Sequence, residues 1–207
     1  MEARTRKSLA SVFINGPFTE DYASLFEAMT FTVLACGFLP RSALEKGDGG
    51  EMRMDKITRL IRKSPFSIHD LSAVGLDPAN SLPRFNMPFE LGLTLGLRAA
   101  GGKHAKHVVL ILERHKYTSQ KCLSDIAGQG LQAHGGEVDR MILQVRNWLR
   151  LETGHELPGP RQIAFAFRNF RAALPDSCEN AGISPEDVPF AERLAMQWQF
   201  LKSANLF

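Results

Sequence analysis

One carboxylate stands apart in this chain. The segment Arg84-Phe-Asn-Met-Pro-Phe-Glu-Leu-Gly-Leu-Thr-Leu-Gly-Leu97 holds a single acidic residue, Glu90, in an otherwise apolar, glycine-punctuated run. Pro88 suits the first position of a helix, where no N–H is needed, and this predicts Glu90 in the first turn. A carboxylate there meets the positive end of the helix dipole and stays ionised, ready to act as nucleophile or base. The same residue also reads as an ordinary first-turn cap or dipole partner. Two further segments end apolar runs in polar or glycine residues: Asn15-Gly16-Pro17-Phe18 and His69-Asp70. Asn15 can hydrogen-bond a hydroxyl or a phosphate, and a Gly-Pro turn lets backbone approach a ligand. Phe18 offers a ring for an aromatic ligand to stack on. Taken singly, each also reads as plain turn chemistry.

These residues need elements to position them. Ser11-Val-Phe-Ile-Asn15 reads as a buried strand entering a tight turn, and Phe66-Ser-Ile-His-Asp70 as another. His69 reads either as a proton donor beside Asp70 or, as period-two alternation favours, as a residue sent outward and idle. His107-Val-Val-Leu-Ile-Leu112 is a continuous apolar run suited to the centre of a parallel sheet, and Phe38-Leu39-Pro40 a short second strand. Helices are expected between them. One carries Tyr22, Leu25, Phe26, Met29, Val33 and Cys36 on one face; another carries Met54, Ile57, Leu60 and Ile61. Ser72 to Asn86 lacks periodicity and reads as a long loop feeding the Glu90 helix. Alternating strands and helices imply an open, doubly wound, flavodoxin-like α/β sheet, mostly parallel. In such sheets ligands bind beyond the carboxyl ends of the strands, where the three polar segments lie.

The chain divides by pattern into residues 8–152, an α/β nucleotide-binding-like domain, and 153–207, a helical extension. That extension packs on the core or on a second subunit as a homodimer. Net charge is only +3, too small to argue for a nucleic-acid partner. No run reaches membrane-span length. Cys36, Cys122 and Cys178 are odd in number and lack metal spacing, so a reducing, cytoplasmic interior is expected. The other histidines, at 104, 107, 115, 134 and 155, show no metal-ligand pairing and read as surface or cap residues, so no metal site is expected.

Ile-Asn-Gly-Pro-Phe after the first strand, Asp70 closing a later one, and Phe-Glu-Leu-Gly opening a helix together resemble the nucleoside 2-deoxyribosyltransferase-like superfamily over about Ser11 to Leu112. The resemblance implies that Glu90 attacks or polarises the anomeric carbon of a ribosyl group. It implies that Asp70 holds sugar hydroxyls and that Gly16 and Pro17 line the sugar or phosphate pocket. The layout is also similar to Toll/interleukin-receptor-type domains that cleave NAD. Members of the superfamily usually carry another acidic residue shortly before the nucleophile; here Arg84 and Asn86 occupy that neighbourhood. A guanidinium suits a phosphate, which favours nucleotides over nucleosides as the small-molecule partner. The expected activity is N-glycosidic hydrolysis or ribosyl transfer, with no cofactor required and NAD as one candidate substrate. The alternatives are an NAD-cleaving Toll/interleukin-receptor-like effector and a non-catalytic nucleotide-sensing or interaction domain of the same fold.

Overall fold

The computed structural model describes residues 9–75 and 82–206. The charged N-terminal residues Glu2, Arg4, Arg6 and Lys7, and the middle of the Ser72–Asn86 loop, lie outside the described residues.

Five strands form one sheet: β1 (Ser11–Asn15), β2 (Leu39–Ser42), β3 (Phe66–Asp70), β4 (Val108–Glu113) and β5 (Gln132–Ala133). Their order is β2-β1-β3-β4-β5, and every pairing is parallel. This is the open doubly wound order of flavodoxin-like folds. The two-residue β5 escapes a pattern search because a strand so short shows no period. Register aligns Asn15 with His69 and Asp70 with Leu112, so the polar residues ending β1 and β3 sit side by side at one edge.

Alternation sorts the strand residues onto two faces. Val12, Ile14, Ile68, Leu110 and Leu112 pack beneath α1 (Ala23–Ala35) and α4 (Val138–Thr153). Phe13 packs on the other face beneath Ile57, Leu60 and Ile61 of α2 (Arg53–Lys63). Alongside α2 on that face lies α3 (Asn86–Ala99), with Leu93 and Leu97 turned to the same cluster.

A single apolar face is expected for α1, yet ten of its 13 residues are buried. The reason is a third layer. Helices α5 (Pro160–Ala181) and α6 (Phe190–Ser203) lie over α1, and Phe31 meets Phe167, Phe170 and Phe200 with ring centroids 5.4, 5.5 and 6.4 Å away. Burial of each such ring stabilises the fold by roughly 2–3 kcal/mol. Polar links reinforce the docking. The buried Glu27 of α1 accepts from Arg171 of α5 at 2.6 Å and from Arg193 of α6 at 3.1 Å. Gln197 of α6 donates to Thr30 at 3.2 Å. The helical tail therefore shares one apolar core with α1 and α4. Among the described residues, no helix is long and apolar enough to cross a membrane.

Candidate functional site

Helix α3 begins at Asn86, two residues before Pro88, with Phe85 as its N-cap. Glu90 is thus the fifth helical residue and stands in the second turn, not the first. Its side chain is buried, the residue being only 5% exposed. Among the described residues none donates a hydrogen bond to its carboxyl group. The dipole was expected to keep this carboxylate ionised, but the macrodipole acts mainly within the terminal turn, and burial dominates. Desolvation pushes the Glu90 pKa up to about 7, against a smaller opposing pull from the Arg53 guanidinium. A buried carboxyl with a raised pKa and no donor among the described residues makes Glu90 a candidate site residue.

Asn15 reaches the same helix. Its Nδ2 donates to the carbonyl oxygen of Met87 at 3.0 Å. Helical carbonyls point toward the C-terminus, so this oxygen lies at the level of the turn that carries Glu90. The Asn15 amide, only 4% exposed, also donates to His69 Nδ1 at 2.9 Å. His69 was expected to face outward and idle. The alternation is as expected, but the face is covered by α2 and α3, so the imidazole is fully buried beside Phe13, with ring centroids 6.1 Å apart.

Asp70 leaves β3 on the opposite face and is also fully buried. Its Oδ1 accepts the backbone N–H of Ser72 at 2.8 Å, and its Oδ2 accepts the Tyr22 hydroxyl and His134 Nε2, the latter at 3.0 Å. Burial alone would raise the pKa of this carboxyl, but the His134, Ser72 and Tyr22 donors outweigh it and hold the group below its ordinary value. Burial and the neighbouring carboxylate raise the Tyr22 pKa in turn. Ser72 Oγ also lies 3.0 Å from His134 Nε2. This group does not have the wiring of a serine triad, in which the carboxylate and the hydroxyl engage different ring nitrogens. Here both meet Nε2, while Nδ1 accepts the N–H of Gly136 at 3.0 Å. The cluster ties the ends of β3 and β5 to the turn before α1. His134 and His107, expected as surface or cap residues, are buried, at 0% and 6% exposed.

The remaining expected residues distribute around this edge. Gly16 and Pro17 are buried. A methyl on Gly16 would stand 3.4 Å from the Tyr22 ring and 3.7 Å from Asp70 Cβ, so glycine lets the Asp70 cluster close on β1. Phe18 is half-exposed and meets Phe26 edge-on, with centroids 5.4 Å apart, on the α1 side of the sheet. Arg84 and Asn86 are exposed, and the Arg84 N–H donates to Ala73 O at 3.2 Å, drawing together the two ends of the loop. Asn15, His69 and Glu90 therefore form one group and Asp70, Tyr22, Ser72 and His134 another. They share an edge of the sheet, not a face.

No protein-family model matches this chain, and no curated protein matches it. The site is read on its own chemistry. Among the described residues, no group of three His, Cys, Asp or Glu side chains is arranged to hold a metal ion. What the first group offers is a titratable carboxyl on the helix whose first turn the Asn15 amide holds at Met87 O. What the second offers is a buried anion that already accepts three hydrogen bonds. His134, Tyr22 and Ser72 were missed in the sequence because each is an isolated polar residue without motif spacing, and only the parallel crossovers bring them together.

Proposed function

We propose that this protein breaks or transfers an N-ribosyl bond in a nucleotide or related ribosyl compound, and that it belongs with the nucleoside 2-deoxyribosyltransferase-like superfamily. One observation carries the reading: Glu90 is a buried carboxyl to which no described residue donates, and its pKa of about 7 leaves it partly ionised at neutral pH. N-glycosidic cleavage passes through an oxocarbenium-like species that a nearby carboxylate stabilises, as in glycoside hydrolysis. In this reading the bond from the anomeric carbon to the base breaks and its electron pair leaves with the base. A Glu90 oxygen bonds or shields the anomeric carbon. Water or a second base then takes that carbon and releases the carboxylate, a water proton passing to solvent. Asn15 holds the sugar near the Glu90 turn, and Arg84 and Asn86 flank the mouth on the phosphate side. Asp70 supports the edge through Tyr22 and His134; it is fully buried, so contact with a sugar hydroxyl would require the cluster to open.

One feature is compatible with NAD among the substrates. Burial, with the nearby His107, pushes the His69 pKa down to about 3, so at neutral pH His69 is a neutral imidazole and does not serve as an acid for a departing base. A pyridinium leaving group departs neutral and needs none. The reading of a non-catalytic sensor rests on a different observation: Asp70 is buried and engaged by three donors of the protein, whereas among the described residues none donates to Glu90.

Chromatography of products decides between them. The protein and its Glu90→Gln variant are incubated with nucleosides, nucleoside monophosphates and NAD. Release of free base by the native protein and its loss in the variant supports the enzyme. Thermal stabilisation of both proteins by one of these compounds, without turnover, supports the sensor. Silence in both assays rejects both.

A further inference from the structure

The orientation of the Asn15 amide is decided by its neighbours. A carbonyl oxygen only accepts, so the Asn15 atom 3.0 Å from Met87 O is the amino nitrogen. The second Nδ2 proton points to His69 Nδ1 at 2.9 Å. That nitrogen must therefore be bare, and the ring hydrogen sits on Nε2, which donates to Ser67 Oγ at 3.1 Å. Ser67 Oγ closes the chain on His107 Nε2 at 2.9 Å. Asn15, Ser67, His69 and His107 are all buried, so each of these groups depends on its protein partners.

This chain runs from the Glu90 end of the sheet toward its opposite edge, where His107 borders an open groove with Arg98, Lys106 and Glu152. It is not a proton path. The Asn15 amino group donates and does not accept, so a proton entering beside His107 would stop at His69. Its effect is geometric.

We propose that His69, held by Ser67, is a positioning residue that locks the Asn15 amide with Oδ1 turned to the ligand, making this corner of the site a hydrogen-bond acceptor only. The inference rests on the reading of Asn15 and Glu90 as the ligand-binding group. Both Nδ2 hydrogens are consumed internally, and among the described residues nothing donates to Oδ1. Asn15 therefore receives a hydroxyl or N–H and rejects a phosphate oxygen, which narrows the hydroxyl-or-phosphate expectation to the hydroxyl. A phosphate on the same ligand must be held elsewhere.

The test needs no known substrate. Long-range proton–nitrogen NMR on the labelled protein reads the His69 tautomer, and exchange of the Asn15 side-chain amide reads its two hydrogen bonds. His69 is expected to carry its hydrogen on Nε2 from pH 5 to pH 8, a range well above its pKa of about 3. The Asn15 amide is expected to exchange at least about tenfold more slowly than that of the exposed Asn86. Ser67→Ala removes the Nε2 acceptor with almost no change of volume; it should mix the tautomers and speed Asn15 exchange, while Ser67→Thr restores both. Adenosine and inorganic phosphate are then titrated as probes, and the native protein should prefer adenosine, a preference that Ser67→Ala weakens. A hydrogen on His69 Nδ1, or Asn15 exchange unchanged in Ser67→Ala, overturns the proposal. If neither adenosine nor phosphate binds while the tautomer and exchange are as expected, the reading of the site as a ribosyl pocket fails and the positioning of Asn15 stands.

Discussion

Asn15 and Asp70 close neighbouring strands at the same edge of the sheet, yet their side chains leave it on opposite faces. Register pairs Asn15 with His69, the residue before Asp70, and alternation does the rest. The consequence is a division of labour between two buried groups. The Asn15 face holds the titratable Glu90; the Asp70 face holds an anion already satisfied by Tyr22, Ser72 and His134.

Glu90 makes stability fall with rising pH. Its folded pKa of about 7 lies above the ordinary 4.5, so the neutral carboxyl is accommodated fully below 4.5 and its contribution is lost as pH rises through 7. Glu90→Gln removes this loss. At pH 8 the variant should be more stable than the native protein by about 2–3 kcal/mol, converging with it near pH 4.5. Urea unfolding at the two pH values measures the difference, and equal stability at pH 8 would refute the burial of this charge.

Arg53 is the cation that opposes this burial, from the first residue of α2. Arg53→Gln should move the Glu90 titration further upward, by a fraction of a pH unit, because an exposed guanidinium is screened by water and salt. Carbon-13 NMR of the Glu90 carboxyl reads the midpoint in both proteins. If Glu90 acts as a carboxylate, the acid limb of activity shifts upward with it.

Asp70→Asn should be the costly substitution of the site. An amide presents its own donors where the Tyr22 hydroxyl, Ser72 N–H and His134 Nε2 already donate. A loss of about 3 kcal/mol is expected from breaking charge-assisted bonds in a buried setting. Asp70 is held below its ordinary value of 3.8, so its contribution is present above that pH and is lost only as pH falls through the depressed value. The gap between native and variant proteins in denaturant melts should therefore persist from pH 8 to pH 5.

A chain ending at Gly154 should not fold as an independent α/β domain. It would strip Phe167, Phe170 and Phe200 from Phe31 and leave Glu27 without Arg171 and Arg193. Loss of three buried aromatic contacts at about 2–3 kcal/mol each is comparable with the whole stability of a typical domain, roughly 5–15 kcal/mol. The expected result is aggregated or unfolded protein by circular dichroism and gel filtration. A monomeric, cooperative unfolding transition would show that the sheet and its two inner layers suffice.

Much of the architecture was legible because it rests on local periodicity. β1 and β3 lie at Ser11–Asn15 and Phe66–Asp70 as their apolar runs end, and α2 buries Ile57, Leu60 and Ile61 at helical spacing. Where the pattern misled, a third layer or a short element was responsible. The all-round burial of α1 depends on α5 and α6, which lie more than a hundred residues away in sequence, and β5 is two residues long.

The sequence by itself determined the parallel α/β order, the glycine and polar residues at the strand ends, and Glu90 as the acidic residue of an apolar helix. Those features follow from side-chain types repeated at fixed spacing. Only the tertiary structure decided that Asn15 and Asp70 serve different faces, that His69 accepts from the Asn15 amide and His134 donates to the Asp70 carboxylate, and that burial overrides the helix dipole at Glu90. Hydrogen-bond partners and desolvation depend on which distant segments meet in space, and crossovers between strands bring those segments together without leaving a local pattern in the chain.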